Sequence, residues 1–319
     1  MPELHVIAAG SLLDFAIEQV GVPVGRVSFL QMYPMSFIEF LGAQGSDQQV
    51  EAILTHSPDQ KMPEPIHDIL LKKLSEYMMI GGMPKVVATW RDEANYGYCL
   101  DILHDIANAY RQDFEKYAKH TQIKFLNLLI NQVPTQLSQA FNYSKIDGEY
   151  RKRELAPCIE LMHKANILHY VYHSSAQGKP LASQISTNRY KIILHDIALT
   201  QALLGLSMQD WVLAPAQSFI NKGNLTEAFV GQELLVYQNS KLDNKLYYWK
   251  RDAKGSIAEI DYIINHVDGI IPVEVKASHG STLKSMHSFL ETHPNSPYGL
   301  RFSTHNYSIY GKVHTYPLY

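Results

Sequence analysis

Apolar positions along this chain fall into contiguous runs, helical spacing and strict alternation, and these patterns predict strands, helices and strands in turn. Residues 4–9, Leu-His-Val-Ile-Ala-Ala, form a short apolar run closed by Gly10-Ser11, which reads as a buried strand and tight turn. A second short run, residues 27–33, reads as another strand, stopped by Pro34 and followed by a short helix over 35–41. Residues 44–65 are polar and carry Pro58, Pro63 and Pro65, the pattern of a linker. From residue 66 the period becomes helical: Ile66, Ile69, Leu70, Leu74 and Tyr77 share a face until Gly81-Gly82-Met83-Pro84 ends the run. A further helix spans 95–119, through Tyr98, Ile102, Ile106, Tyr110 and Phe114.

Three shorter helical segments follow, at 125–132, within 137–146 and at 150–165. An alternating run from Ile167 to Tyr172, a Gly178-Lys179-Pro180 turn and a strand over 190–194 complete a unit of three helices and a two-stranded wing, the winged-helix arrangement. Asp196 is placed to cap a helix over 197–204. The tail changes character. A helix over 226–237, strands near 246–249, 257–264 and 271–275, a helix over 283–291 and later short strands make a small α/β unit.

Composition narrows the chemistry. The 319 residues are 46% hydrophobic and 18% charged, with 28 basic and 31 acidic side chains and a net charge of -3, so a nucleic-acid site must be a local patch. Cys99 and Cys158 have no CxxC companion and no HExxH occurs, which argues against thiolate zinc and disulfide frameworks. No apolar run reaches the ~18–20 residues of a membrane span. The start lacks the pattern of a signal peptide, and the expected location is the cytoplasm.

The main candidate site is in the tail. Glu259-Ile260-Asp261 precedes Pro272-Val273-Glu274-Val275-Lys276. Alternation along a strand puts Glu274 and Lys276 on one face, and a hairpin would bring Asp261 beside them. Asp261 and Glu274 are hard ligands for Mg²⁺, Lys276 is a candidate for orienting or deprotonating an attacking water, and Glu227 on the preceding helix is a further carboxylate. The same residues also fit a solvated strand face held by cross-strand ion pairs.

The order Thr226-Glu227, Tyr248-Trp249, Glu259-Ile260-Asp261, Pro272-Val-Glu274-Val-Lys276-Ala-Ser278 resembles the restriction-endonuclease-like PD-(D/E)xK core over residues 223–292, with Ile260 where that pattern has proline. Val6-Ile-Ala-Ala-Gly-Ser11, Gly25-Arg26, Leu30 to Phe40, Gly81-Gly82-Met83-Pro84 and Lys191 to Leu199 extend the likeness. Together these segments resemble AAA-type ATPases that carry the C-terminal domain of unknown function 4143. The resemblance implies a multidomain α/β and α+β chain. Its parts are an ATPase remnant (1–60), a helical connector (61–120), a winged-helix-like unit (121–205) and a nuclease-like tail (206–319). It implies Ser11 and Arg26 as remnant nucleotide-sensing residues and ATP as the ligand of the intact family. The glycine-rich phosphate loop GxxxxGK[ST] of that family does not occur here, so the chain is expected not to bind ATP and to be a truncated or clipped product.

Arg151, Lys152 and Arg153 open the third helix of the winged unit, where base and phosphate contacts would fall, with Lys145 and Arg189 as companions. Expected partners are DNA, and a second copy through an exposed N-terminal strand. The competing expectation is an interaction or scaffold protein that keeps a relic nuclease fold.

Overall fold

The computed structural model describes residues 4–10, 25–206, 209–213, 215–251, 258–276 and 283–319. The protein is mixed α/β. Residues 37–164 supply helices and turns: α1 (Phe37–Ala43), α2 (Asp47–Thr55), α3 (Glu64–Ile80), α4 (Pro84–Glu93), α5 (Tyr96–Tyr117), α6 (His120–Gln132) and α7 (Lys152–Lys164). Then come β1 (Leu168–Ser174), β2 (Ile185–Leu194), α8 (Ile197–Leu204), α9 (Asp210–Leu213), α10 (Pro215–Asn221) and α11 (Gly223–Val236). The rest is β3 (Leu246–Lys250), β4 (Glu259–His266), β5 (Gly269–Val275), α12 (Lys284–Thr292), β6 (Gly299–Ser303), β7 (Ser308–Tyr310) and β8 (Val313–Pro317).

One eight-stranded sheet runs in the order β2-β1-β3-β4-β5-β6-β8-β7. The β1–β2 hairpin is not a free wing. Its strand β1 lies parallel to β3, with Val171, Tyr172 and His173 opposite Leu246, Tyr247 and Tyr248. β3, β4 and β5 are antiparallel neighbours, and β6 joins β5 in parallel. The hairpin is thus hydrogen-bonded into the sheet of the tail.

Sequence and structure part in three places. Residues 4–10 and 25–36 form no strand, and Leu4, Val6, Ile7 and Leu30 are exposed. Every strand of the sheet lies between residues 168 and 317, so these two apolar runs have no ladder to join. The strand through which a second copy was expected to pair is therefore not formed. The polar stretch 44–65 contains helix α2, because its three prolines all fall after Thr55. In place of a helix within 137–146 there are short 3₁₀ turns at Val133–Gln136 and Tyr143–Lys145, the first opened by Pro134 and the second capped by Asn142.

The glycine pair at 81–82 does more than end α3. Gly81 has φ 76°, a conformation that costs a side chain strain. The carbonyl of Gly82 accepts from Met35 N at 2.8 Å, and its own N–H donates to Asp196 Oδ2 at 2.8 Å. Asp196 is fully buried and also caps α8 through Leu199 N at 2.9 Å, as its position before that helix suggested. The Asp196 carboxylate therefore ties the end of α3 to the start of α8, and the Gly82 carbonyl ties the same point to the segment leading into α1.

Helix α11 crosses the sheet beneath these helices. Gly231 lets it approach until a Cβ there would strike the hydroxyl of Tyr262 and Ile193. Tyr262 donates to the Glu227 carbonyl at 2.8 Å, and Gln232 links Ile197 N to the Tyr77 hydroxyl. This packing sets the height of Glu227 above the strands. On a second, smaller core, α12 places Met286 and Phe289 against Trp249, Ile260 and Ile263.

Candidate functional site

The charged residues of the tail gather in two adjoining groups. The first centres on Lys191, from β2. Its neighbours Tyr190, Ile192 and Ile193 are apolar wall, yet its ammonium, with the side chain only 2% exposed, reaches Glu259 Oε1 at 2.7 Å and Glu227 Oε1 at 3.0 Å. Lys250 closes the far side of Glu259 at 2.8 Å, and the Tyr248 ring lies 5.1 Å from the Lys191 ammonium. Burial works against the charge on Lys191, but Glu227, Asp261 and Glu259 outweigh it and hold the ammonium well above its ordinary range. Glu259 is half-buried, which raises its carboxyl, but its two lysines draw it below the usual value. Glu227 is pushed up to about 8 by burial, which Lys191 opposes and Asp261 reinforces. The two partners thus shift in the same direction. We take the lysine to be charged and Glu227 to be the group in this set most ready to take a proton, because one ammonium is shared among several carboxylates.

The second group lies where β4 meets β5. Tyr262 pairs with Val273, and one step further Asp261 reaches across so that its Oδ2 accepts from Val275 N at 2.8 Å. Glu274 is 3% exposed; its Oε1 meets the Lys276 ammonium at 3.2 Å, and its Oε2 has no hydrogen-bond partner. Burial, with the negative charge of Asp261, pushes Glu274 up to about 7. Lys276 is raised, because Glu274 and Asp261 more than offset its own burial. Burial raises Asp261 as well, against the pull of Lys191.

The structure therefore brings Asp261, Glu274 and Lys276 together and turns Glu227 towards Lys191 instead. Among the described residues, no group of three or more His, Cys, Asp or Glu side chains is gathered so as to hold a metal ion. Two carboxylates are nonetheless enough for a Mg²⁺ that keeps most of its waters, and the unpartnered Glu274 Oε2 is an oxygen of the required kind.

The other candidate residues lie elsewhere. Arg151, Lys152 and Arg153 are exposed at the start of α7, where Lys152 bonds Asn188 at 3.4 Å and lies 5.5 Å from the Tyr143 ring. Lys145 is exposed nearby and Arg189 is half-buried. An open groove of about 950 Å³, lined by His120, Lys124, Phe125, Asn127 and Glu154 among others, adjoins that helix start. Arg26 is exposed, and Ser11 and Ser278 lie outside the described residues.

Sequence reasoning missed Lys191 as a member of the site. The available signal was a lone lysine inside an apolar strand, which can be buried only if it is paired.

Residues 71–210 match the model of a family described as a domain of unknown function (DUF8612), and residues 222–319 match that of a second, also a domain of unknown function (DUF4143). No curated protein and no solved structure matches the chain. The first match contains Lys191 and the hairpin; the second contains α11, Glu227 and all of β3–β8. The buried ion cluster is therefore assembled from both.

Proposed function

We propose that the tail is a divalent-metal-dependent phosphodiester-cleaving site of a nucleic-acid-associated protein. The observation that carries this reading is the Glu274 carboxylate: buried, half unpartnered, beside Asp261 and touching Lys276. A buried carboxylate oxygen without a partner costs about 1–3 kcal/mol or more, and a bound cation would remove that cost. Asp261 and Glu274 would hold Mg²⁺, which on binding supplies a more acidic water and charge neutralisation at a phosphate. Lys276 stands where it can orient that water, and its ion pair with Glu274 fixes the ammonium in place. Lys191 acts one layer away. By neutralising Glu227 and Glu259, it limits the negative charge next to Asp261 to what one metal ion can balance. The exposed Arg151, Lys152 and Arg153 supply a local basic patch for a DNA backbone.

A thermal melt with and without Mg²⁺ or Mn²⁺, on the wild type and on Asp261→Asn, tests the reading. Metal at a hundredfold excess over its Kd should stabilise the wild type by roughly 2.7 kcal/mol, and the variant much less. No gain in the wild type, or an equal gain in both, would sink it.

A second reading, an interaction protein with a relic nuclease fold, is favoured by one feature. Lys191 already provides an internal cation for two of the four neighbouring carboxylates, so the fold stands without a metal.

A further inference from the structure

β6 carries a half-buried cation, Arg301, one edge of which has nothing to hold. The Nε and Nη2 of Arg301 are shielded from solvent and have no hydrogen-bond partner. These two nitrogens form one edge of the guanidinium, the edge that grips two oxygens at once. In the parallel register Arg301 stands beside Glu274 on β5 and beside Thr315 on β8. Side chains at matched positions of parallel strands project from the same face. Glu274 is therefore next to Arg301, and each feels the other's charge, yet Glu274 Oε2 and the Arg301 edge both remain unpartnered. Burying a guanidinium edge without acceptors is costly, and an unsatisfied buried donor pair calls for an explanation.

We propose that Arg301 is a phosphate-binding residue, whose Nε–Nη2 edge takes two oxygens of a phosphoryl group lying next to the Asp261–Glu274 pair. The inference rests on the metal-site reading above and names the residue that would position the substrate there. A phosphate beside two carboxylates is repelled unless a cation intervenes, so the two ligands should bind cooperatively: the metal faces Asp261 and Glu274, and the phosphate faces Arg301 with Lys276 close by. A carboxylate ligand would satisfy the same nitrogens but would leave no oxygens for the metal side, which is why a phosphoryl group is the occupant chosen. Within the sheet the row Glu274, Arg301, Thr315 then reads as acid, base and hydroxyl in consecutive strands, the order in which a metal–phosphate pair would be met.

The test is calorimetric titration of the full chain with inorganic phosphate in Mg²⁺, for the wild type, Arg301→Gln and Arg301→Lys. Losing a two-pronged charged contact should weaken binding about tenfold or more in Arg301→Gln, with Arg301→Lys between it and the wild type. Melting curves with Mg²⁺ are measured on the same three proteins. Arg301→Gln should keep the metal-induced gain, because Arg301 is not a metal ligand. Phosphate binding of wild-type strength in Arg301→Gln, with the metal gain intact, overturns the assignment of Arg301 alone. If Arg301→Gln does not fold, Arg301→Lys decides: wild-type affinity in it overturns the assignment. Binding that depends on Arg301 with no metal gain in any protein upholds the phosphate site and overturns the metal reading. Absence of both in the wild type overturns the two together.

Discussion

Replacing Lys191 by methionine isolates the contribution of the buried ion cluster. The methionine keeps most of the volume of the lysine stem and deletes only the ammonium, so packing against Tyr248 and Ile193 is largely conserved. What is lost are contacts of 2.7 Å to Glu259 and 3.0 Å to Glu227, and both carboxylates stay in half-buried positions. Breaking a buried pair from one side costs about 3–5 kcal/mol, because the remaining charge is uncompensated. Lys250 still neutralises Glu259, so the penalty falls mainly on Glu227. The sign with pH follows. The folded-state value of Glu227 is already about 8, above its ordinary value, so its ionised form costs stability above that pH, and the cost disappears as pH falls through the window towards 4.5. Without Lys191 the shift grows, so Lys191→Met should diverge from the wild type as pH rises above about 8 and differ least near pH 5. Urea denaturation midpoints at about pH 5 and about pH 9.5 provide the assay. Adding Glu227→Gln to Lys191→Met should recover a large share of the loss at the higher pH. A single-variant loss below about 1 kcal/mol, or a double variant no better than the single one, would show that the cluster behaves as a solvated surface and that its burial has been overestimated.

Three other outcomes are expected. His195 and His169 lie 3.1 Å apart beneath Tyr33, with His163 next to them, and burial lowers both, His195 to about 4. Stability should therefore be complete above about pH 6.5 and decline by up to roughly 3 kcal/mol as pH falls to 4, a decline that His195→Gln should blunt in acid melts. Gly82→Ala forces a methyl group against the Met35 carbonyl and should cost about 1–3 kcal/mol in a thermal melt, whereas Gly42→Ala, where a Cβ meets open space, should cost nothing. ATP should show no micromolar binding by calorimetry, because no glycine-rich phosphate loop occurs in the sequence; binding at that level would contradict the reading of Ser11 and Arg26 as remnants.

Long periodic segments were legible in the sequence. Helix α3, the β1–β2 hairpin and the strand bearing Glu274, with Lys276 just past its end, lie where hydrophobic period and punctuation put them. The apolar run at 4–9 misled, since periodicity says that a strand would be apolar and says nothing about whether a neighbour exists to pair with it. Helix α2 was obscured by the prolines beyond it. For the site, alternation put Glu274 and Lys276 side by side and the hairpin put Asp261 next to them, but the hydrogen bond from Val275 N to Asp261 has no signature in Glu-Ile-Asp. Lys191 and Arg301 were overlooked for a common reason. Each is a basic residue between apolar neighbours, and its meaning depends on a strand distant in sequence: Lys191 meets Glu259 across β1 and β3, and Arg301 stands beside Glu274 through a parallel crossover.

The pairing of β1 with β3 also sets an order of events during folding. Val171 and Leu246 are neighbours in the sheet, and the intervening chain forms α8 to α11. Closing so long a loop costs entropy before any parallel contact repays it. During synthesis the hairpin emerges first and must wait, its β1 edge unpaired, until β3 has left the ribosome. Through that interval the Lys191 ammonium has neither Glu227 nor Glu259 to meet. Topology thus separates the cation from its anions in time: the hairpin that carries Lys191 is complete before the strand that carries Glu259 exists.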